Sequence, residues 1–142
     1  MPVREYVIAF IFIAIQLVAC SKDTSPTSRS GDELIGRFEK ALLSADHHAA
    51  YKMMCPEYTE ENDSTGFARS LKTSPYLTKA ESFGGGALST QGGVTERRCV
   101  IIGKFGHIPA VLYVRDHGQI RCVISLTVAG IPVAGPGVGR SK

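Results

Sequence analysis

Tryptophan is absent, and no internal repeat or long run of like charge breaks up the 142-residue chain. Without a repeat period the chain is not a stacked array. The formal net charge is only +3, too small to argue for a nucleic-acid partner, and none is expected. Long apolar runs are also missing. The stretch VIAFIFIAIQLVA, residues 7–19, has 13 residues. As a helix it spans ~20 Å, short of the ~30 Å hydrocarbon core, which disfavours a single anchoring helix. Preceded by Arg4 and ending in small residues, the run instead reads as a secretory signal, although Glu5 offsets the one basic residue of its start.

The end of that run is the most specific motif present. Leu17-Val18-Ala19-Cys20 resembles the lipobox of bacterial lipoproteins. That resemblance implies cleavage before Cys20, a diacylglycerol on its thiol and an acylated new amine, and hence attachment to the membrane through several acyl chains. Ser21, where an Asp would favour inner-membrane retention, implies the outer membrane and a periplasmic face. Residues 20–31 hold the lipidated Cys20 and a stretch of Ser, Thr, Pro, Gly and charge that reads as a flexible tether. Residues 134–142 are a Gly/Pro-rich tail. Between them, residues 32–133 suffice for one domain with one core.

The domain opens with helical patterning. Ser30 and Glu33 form a capping box, and Leu34, Phe38, Leu42 and Ala45 recur at helical spacing. A second helix is expected after Asp46, with Pro56 marking its end near Cys55. A short third helix buries Phe67 and Leu71 and stops at Pro75. From Glu81 onward the period changes to β-branched runs separated by Gly-containing turns. The fold class expected is α+β, with N-terminal helices packed on a curved antiparallel sheet.

A turn at Gly106-His107 and another near Asp116-His117-Gly118 sort the last three strands into two faces. Cys99, Ile101, Phe105, Ile108, Ala110, Leu112, Val114, Ile120, Cys122, Ile124, Leu126 and Val128 form the face expected under the helices. The opposite face places Val100, Ile102, Val111, Tyr113 and Val123 in an apolar patch rimmed by Arg98, Lys104, Arg115 and Arg121. Such patches mark contacts, so Val100, Ile102, Val111, Tyr113, Arg115, Arg121 and Val123 are the candidate partner-binding residues.

Asp46, His47, His48 and Cys55 lie within ten positions, which raises the question of a metal site. Adjacent histidines on a helix point ~100° apart, and His48 and Cys55 sit ~10 Å apart along the axis, too far for one tetrahedral ion. Asp46 is better explained as an N-cap. No metal and no cofactor are expected. In an oxidising compartment Cys55, Cys99 and Cys122 hold at most one bridge. Two strand spacings of ~9.5 Å separate Cys99 from Cys122, beyond disulfide reach. Either can meet Cys55, with Cys55–Cys122 preferred and three reduced thiols as the alternative.

FEKALLSADHHAAYKMMCPEY and LYVRDHGQIRCVISLTVAGIPV together resemble the opening and closing segments of the cystatin-like cone domains of the nuclear transport factor two superfamily. Two positions depart from that pattern: Ala45 stands where a Gly is usual, and Cys122 stands near a common Trp. The resemblance implies a cone-shaped sheet that often dimerises through its outer face. It also includes isomerases with an Asp base and a Tyr/Asp oxyanion site. Here the interior strand face carries no Asp, Glu or Tyr, although Tyr51 and Tyr58 can reach inward from the helices. The expectation is therefore a non-catalytic binding or assembly module that meets a second copy or an acidic envelope protein. A small-molecule binder using the interior beneath Met53, Met54 and Phe67, or an inhibitor or immunity-type lipoprotein, are the alternatives.

Overall fold

The structure, a computed structural model, describes residues 29–139. Cys20, the signal segment and most of the tether lie outside the described residues. Five helices come first: α1 (Arg29–Leu43), α2 (His47–Lys52), α3 (Pro56–Glu61), α4 (Ser64–Lys72) and α5 (Pro75–Thr78). Five strands follow: β1 (Ala80–Gln91), β2 (Val94–Gly103), β3 (Gly106–His117), β4 (Ile120–Val128) and β5 (Ile131–Ala134). They pair in chain order as one antiparallel meander. The fold is α+β, with the helices on one face of the sheet, as the change of period at Glu81 implies. No helix among the described residues is long and apolar enough to cross a membrane.

The helix starts follow local chemistry. α1 begins at Arg29, so the residues expected to cap or precede it, Ser30 and Gly31, lie within the helix. Asp46 does cap α2: its carboxylate accepts from the Ala49 amide at 3.0 Å. Asp63 caps α4 in the same way, on the Gly66 amide at 2.6 Å. Pro56 was expected only as a stop. It opens α3 instead, at a first-turn position where a missing N–H costs nothing. Pro75 likewise opens α5.

The core forms where α1, α2 and α4 lie on the sheet. Leu34, Ile35, Phe38, Ala50, Phe67 and Leu71 bury against Cys99, Ile101, Ala110, Leu112, Val114, Leu126 and Val128. The strand residues are those expected to face inward. Arg97 also points to this side, and its guanidinium holds Glu39 of α1 at 3.2 Å across the helix–sheet seam. Ser70 of α4 donates to the Val133 carbonyl at 2.5 Å, tying β5 to the helix layer.

Three parts of the expected strand pattern need correction. The β2–β3 turn is Lys104-Phe105, because Gly103 pairs with Gly106; Phe105 therefore leaves the core and stands half-exposed against Tyr76, with ring centroids 5.5 Å apart. Ile120 is 57% exposed at the next tip. The third correction is larger. Tyr113 pairs with Ser125, but Val114 pairs with Val123, leaving Ile124 as an extra residue. A bulge of this kind reverses the alternation beyond it. Val123, expected on the outer face, is thus fully buried in the core beside Met54, and its two neighbours change sides with it: Cys122, expected under the helices, lies opposite Arg115 on the outer side, and Arg121, expected on the outer face, lies opposite Asp116 on the helix side.

The same bulge presents Cys122 to the helix layer's edge. Met53 and Cys55 run alongside β4 and bridge it: the Cys55 amide donates to the Val123 carbonyl at 2.8 Å, and the Val123 amide donates to Met53 at 2.7 Å. Cys55 and Cys122 are then 4.8 Å apart at Cα and form a disulfide, while Cys99 is a buried free thiol. The chain after β5 stays on the fold. Gly135 is buried against Ser125, so closely that a Cβ there would lie 2.6 Å from the Ser125 Cβ.

Candidate functional site: the outer sheet face

The pairing registers lay out the face opposite the helices. One row runs Gly84, Val100, Pro109; the next runs Ala87, Arg98, Val111, Thr127, Pro132; a third runs Ser89, Glu96, Tyr113, Ser125. Val100, Ile102, Val111 and Tyr113 are brought together as expected, and each is half-buried, with no helix or strand of the described residues forming a layer above them. Part of that burial comes from β1. Gly84 lies beneath Ile102, and a Cβ on Gly84 would come within 2.8 Å of the Ile102 Cδ1. The Gly-rich strand lets the Ile102 side chain lie flat.

The charged rim differs from the expected bare basic rim. Glu96 stands in the middle of the face, two residues ahead of Arg98 on the same strand and hence on the same side. Continuing the β2 alternation back by one step would have found it. The Tyr113 hydroxyl donates to Glu96 Oε2 at 2.8 Å, and Arg98 donates to the other oxygen. The Tyr113 hydrogen bond, followed by that of Arg98, holds the Glu96 carboxyl below its ordinary range. Reciprocally, Glu96 pushes the Tyr113 phenol up.

Arg115 and Arg121 are also paired. Arg115 reaches Glu57 of α3 at 2.6 Å, whereas Arg121 is not brought to this face: beyond the bulge it lies on the helix side, where it reaches Asp116 at 3.1 Å. Glu57 titrates below the usual carboxylate range, first because of its own backbone hydrogen bond at the start of α3 and then because of Arg115. Arg98 and Arg115 therefore each have a carboxylate on this face, and among the described residues Lys104, at the β2–β3 tip, has no ion pair. Glu57 escaped the strand pattern because it belongs to a helix brought to the sheet by the Cys55–Cys122 link.

The interior offers little room. Phe67 is fully buried, and the rings of Tyr51 and Tyr58 meet it at centroid distances of 5.7 and 5.9 Å. The Tyr51 hydroxyl donates to the Asn62 carbonyl at 2.6 Å, which holds that ring inward. Met54 closes the same space from the β4 side, 4% exposed. The volume beneath Met53, Met54 and Phe67 is occupied by side chains. Among the described residues no group of three His, Cys, Asp or Glu side chains is placed to hold a metal ion.

No family profile, curated protein or solved structure matches this chain.

Proposed function

We propose that this protein is a lipid-anchored, periplasm-facing lipoprotein that acts as a non-catalytic assembly module, with its outer sheet face meeting a second copy of the chain. Acylated Cys20 holds it to the outer membrane, and the domain resembles the cystatin-like cone domains of the nuclear transport factor two superfamily. What supports the contact is the charge balance of the face. Val100, Ile102 and Val111 present apolar surface, while Arg98 and Arg115 are already engaged by Glu96 and Glu57. An acidic partner would have to displace those carboxylates. A neutral, apolar, self-complementary surface suits a two-fold contact with itself.

The face is small. Four strands ~4.8 Å apart and about six residues long at ~3.3 Å give a footprint of roughly 400 Å². That is about half of the ~800 Å² per partner of a standard interface, so the face alone supports a weak contact. Confinement of anchored copies to one surface raises their effective concentration and favours such a contact.

Sedimentation of the purified full chain in detergent tests this. The wild type should associate with rising concentration, and Val111→Asp, which puts a charge in the centre of the face, should associate markedly less, with unchanged far-UV circular dichroism. Equal behaviour of the two proteins would remove the face as the contact.

A further inference from the structure

The meander has two ends, and they are treated differently. At the β5 end the exposed edge is short: β5 has four residues, and the remaining edge of β4 is bridged by Met53 and Cys55. At the other end β1 runs for 12 residues with β2 on one side and no strand on the other among the described residues. An open edge carries unpaired N–H and C=O groups that template pairing with another chain.

The first half of β1 is blunted. Its ladder is irregular between Ala80 and Ser82 and again between Gly84 and Ala87. Gly85 and Gly86 have φ of 60° and 107°, and a Cβ at Gly86 would collide with the Arg98 carbonyl. The second half is not blunted. From Ala87, opposite Arg98, to Gln91, opposite Val94, the ladder is regular. All five residues are exposed, none is charged and none is proline. Charge, proline and bulges are the usual protections of an edge, and Ala87–Gln91 has none of them.

There is also room beside it. Leu88 is 46% exposed and borders a hollow of about 260 Å³ between β1 and α1, lined by Asp32, Ile35, Gly36, Glu39 and Arg97. A Cβ on Gly36 would meet nothing within 4 Å. A strand added next to β1 would find space for the side chains it turns toward the helices.

We infer that Ala87–Gln91 pairs antiparallel with the same segment of a second copy, joining two five-stranded sheets into one of ten. Antiparallel pairing of a segment with itself is two-fold symmetric, so one patch serves both copies. An uncharged segment sets no like charges opposite each other. With the axis at Ser89, Leu88 lies across from Thr90 of the second copy on the helix side and loses its exposure. This contact is separate from the outer face and does not depend on it. Two different two-fold contacts on one chain build a closed tetramer where their axes cross at right angles and an open row where they do not.

Single cysteines at Ala87, Leu88, Ser89 and Thr90 test the pairing in the full chain, in membranes of the expressing cells, under mild oxidation. With Cys20 replaced by Ser in every variant where it is found unacylated, the native background is low, because Cys55 and Cys122 are bonded to each other and Cys99 is buried. Residues facing each other across an antiparallel pair lie ~4.5 to 5.5 Å apart at Cα, within disulfide reach. The covalent dimer should peak at one of these positions, at least about tenfold above a cysteine at exposed Glu60, and should fall at its neighbours. Leu88→Lys combined with Ser89→Cys, the position on the axis, should abolish it, whereas Val111→Asp should leave it intact. No position rising above the Glu60→Cys control would overturn the pairing. So would a cross-link that survives Leu88→Lys but is lost in Val111→Asp, which would assign association to the face.

Discussion

Ala45 has φ of 55°, a left-handed conformation that costs an L-residue with a Cβ roughly 1 to 2 kcal/mol. It sits where α1 stops. The Asp46 amide reaches back to the Ala41 carbonyl at 2.9 Å, and the Ala45 amide to Leu42 at 3.2 Å, the double hydrogen bond of a Schellman cap whose C′ position favours glycine. The departure from the resembled pattern, Ala where Gly is usual, is thus a local strain. Ala45→Gly should raise stability by about 0.5 to 1 kcal/mol, read from the urea midpoint at unchanged slope. A lower midpoint would mean that the chain entropy of glycine outweighs the relieved strain. Glu96 makes a second prediction at this scale. Its carboxyl titrates below the ordinary value because the charged form accepts from Tyr113 and then from Arg98. A carboxylate with a lowered folded pKa adds stability that is complete above its unfolded value near ~4.3 and is lost as pH falls through the folded value. Glu96→Gln should therefore flatten the stability profile between about pH 5 and pH 3 and return the Tyr113 titration toward that of an ordinary phenol, as followed by NMR. An unchanged acid limb would show that the hydrogen bonds do not persist in solution.

At the scale of elements, what could be foreseen and what could not divide along one physical line. Helical spacing from Leu34 to Leu42 and the alternation that picks out Cys99, Ile101, Ala110 and Leu112 are local signals, and those residues are buried. The bulge opposite Tyr113 depends on how β4 meets both β3 and the Met53–Cys55 segment, and nothing near Val123 announces it. That one extra residue moves Val123 from the expected contact face into the core. Pro56 carries the same lesson, since a proline that ends one helix can equally begin the next. The β4–β5 reversal at Ala129-Gly130, with φ of 52° and 76°, was hidden because alanine gives no turn signal there. For Cys55 and Cys122 strand spacing excludes only the Cys99–Cys122 alternative and leaves Cys55 able to meet either, so their pairing was a preference, which the structure bears out. Their bond closes a loop with a sequence separation of 67. On chain entropy that link stabilises the fold by about 4 kcal/mol. The double variant Cys55→Ala/Cys122→Ala should lose about that much in guanidinium unfolding, with α3 and the Glu57–Arg115 pair released first in hydrogen exchange. A loss below about 1 kcal/mol would show that the Met53 and Cys55 backbone bonds to β4 hold the junction unaided.

At the scale of the whole molecule, the four cysteines report both the fold and the proposed anchor in one measurement. Cys99 is buried, and burial pushes its thiol up, which suppresses the reactive thiolate. It should resist iodoacetamide in the native protein. In denaturant without reductant, Cys55 and Cys122 remain bonded and Cys99 becomes free. A chain acylated on Cys20 then gains a single adduct, at Cys99, and gains two more after reduction. A chain with a free Cys20 gains two adducts before reduction and four in all. Intact-mass spectrometry of the protein extracted from its host membrane separates these outcomes, and the acyl mass appears in the same spectrum. The first outcome keeps the domain on a membrane surface, where a face of roughly 400 Å² and a five-residue edge are strengthened by confinement of neighbouring copies. The second removes that confinement. Contacts of this size would then have to hold between freely diffusing chains, and the assembly role would require an interface larger than the outer face provides.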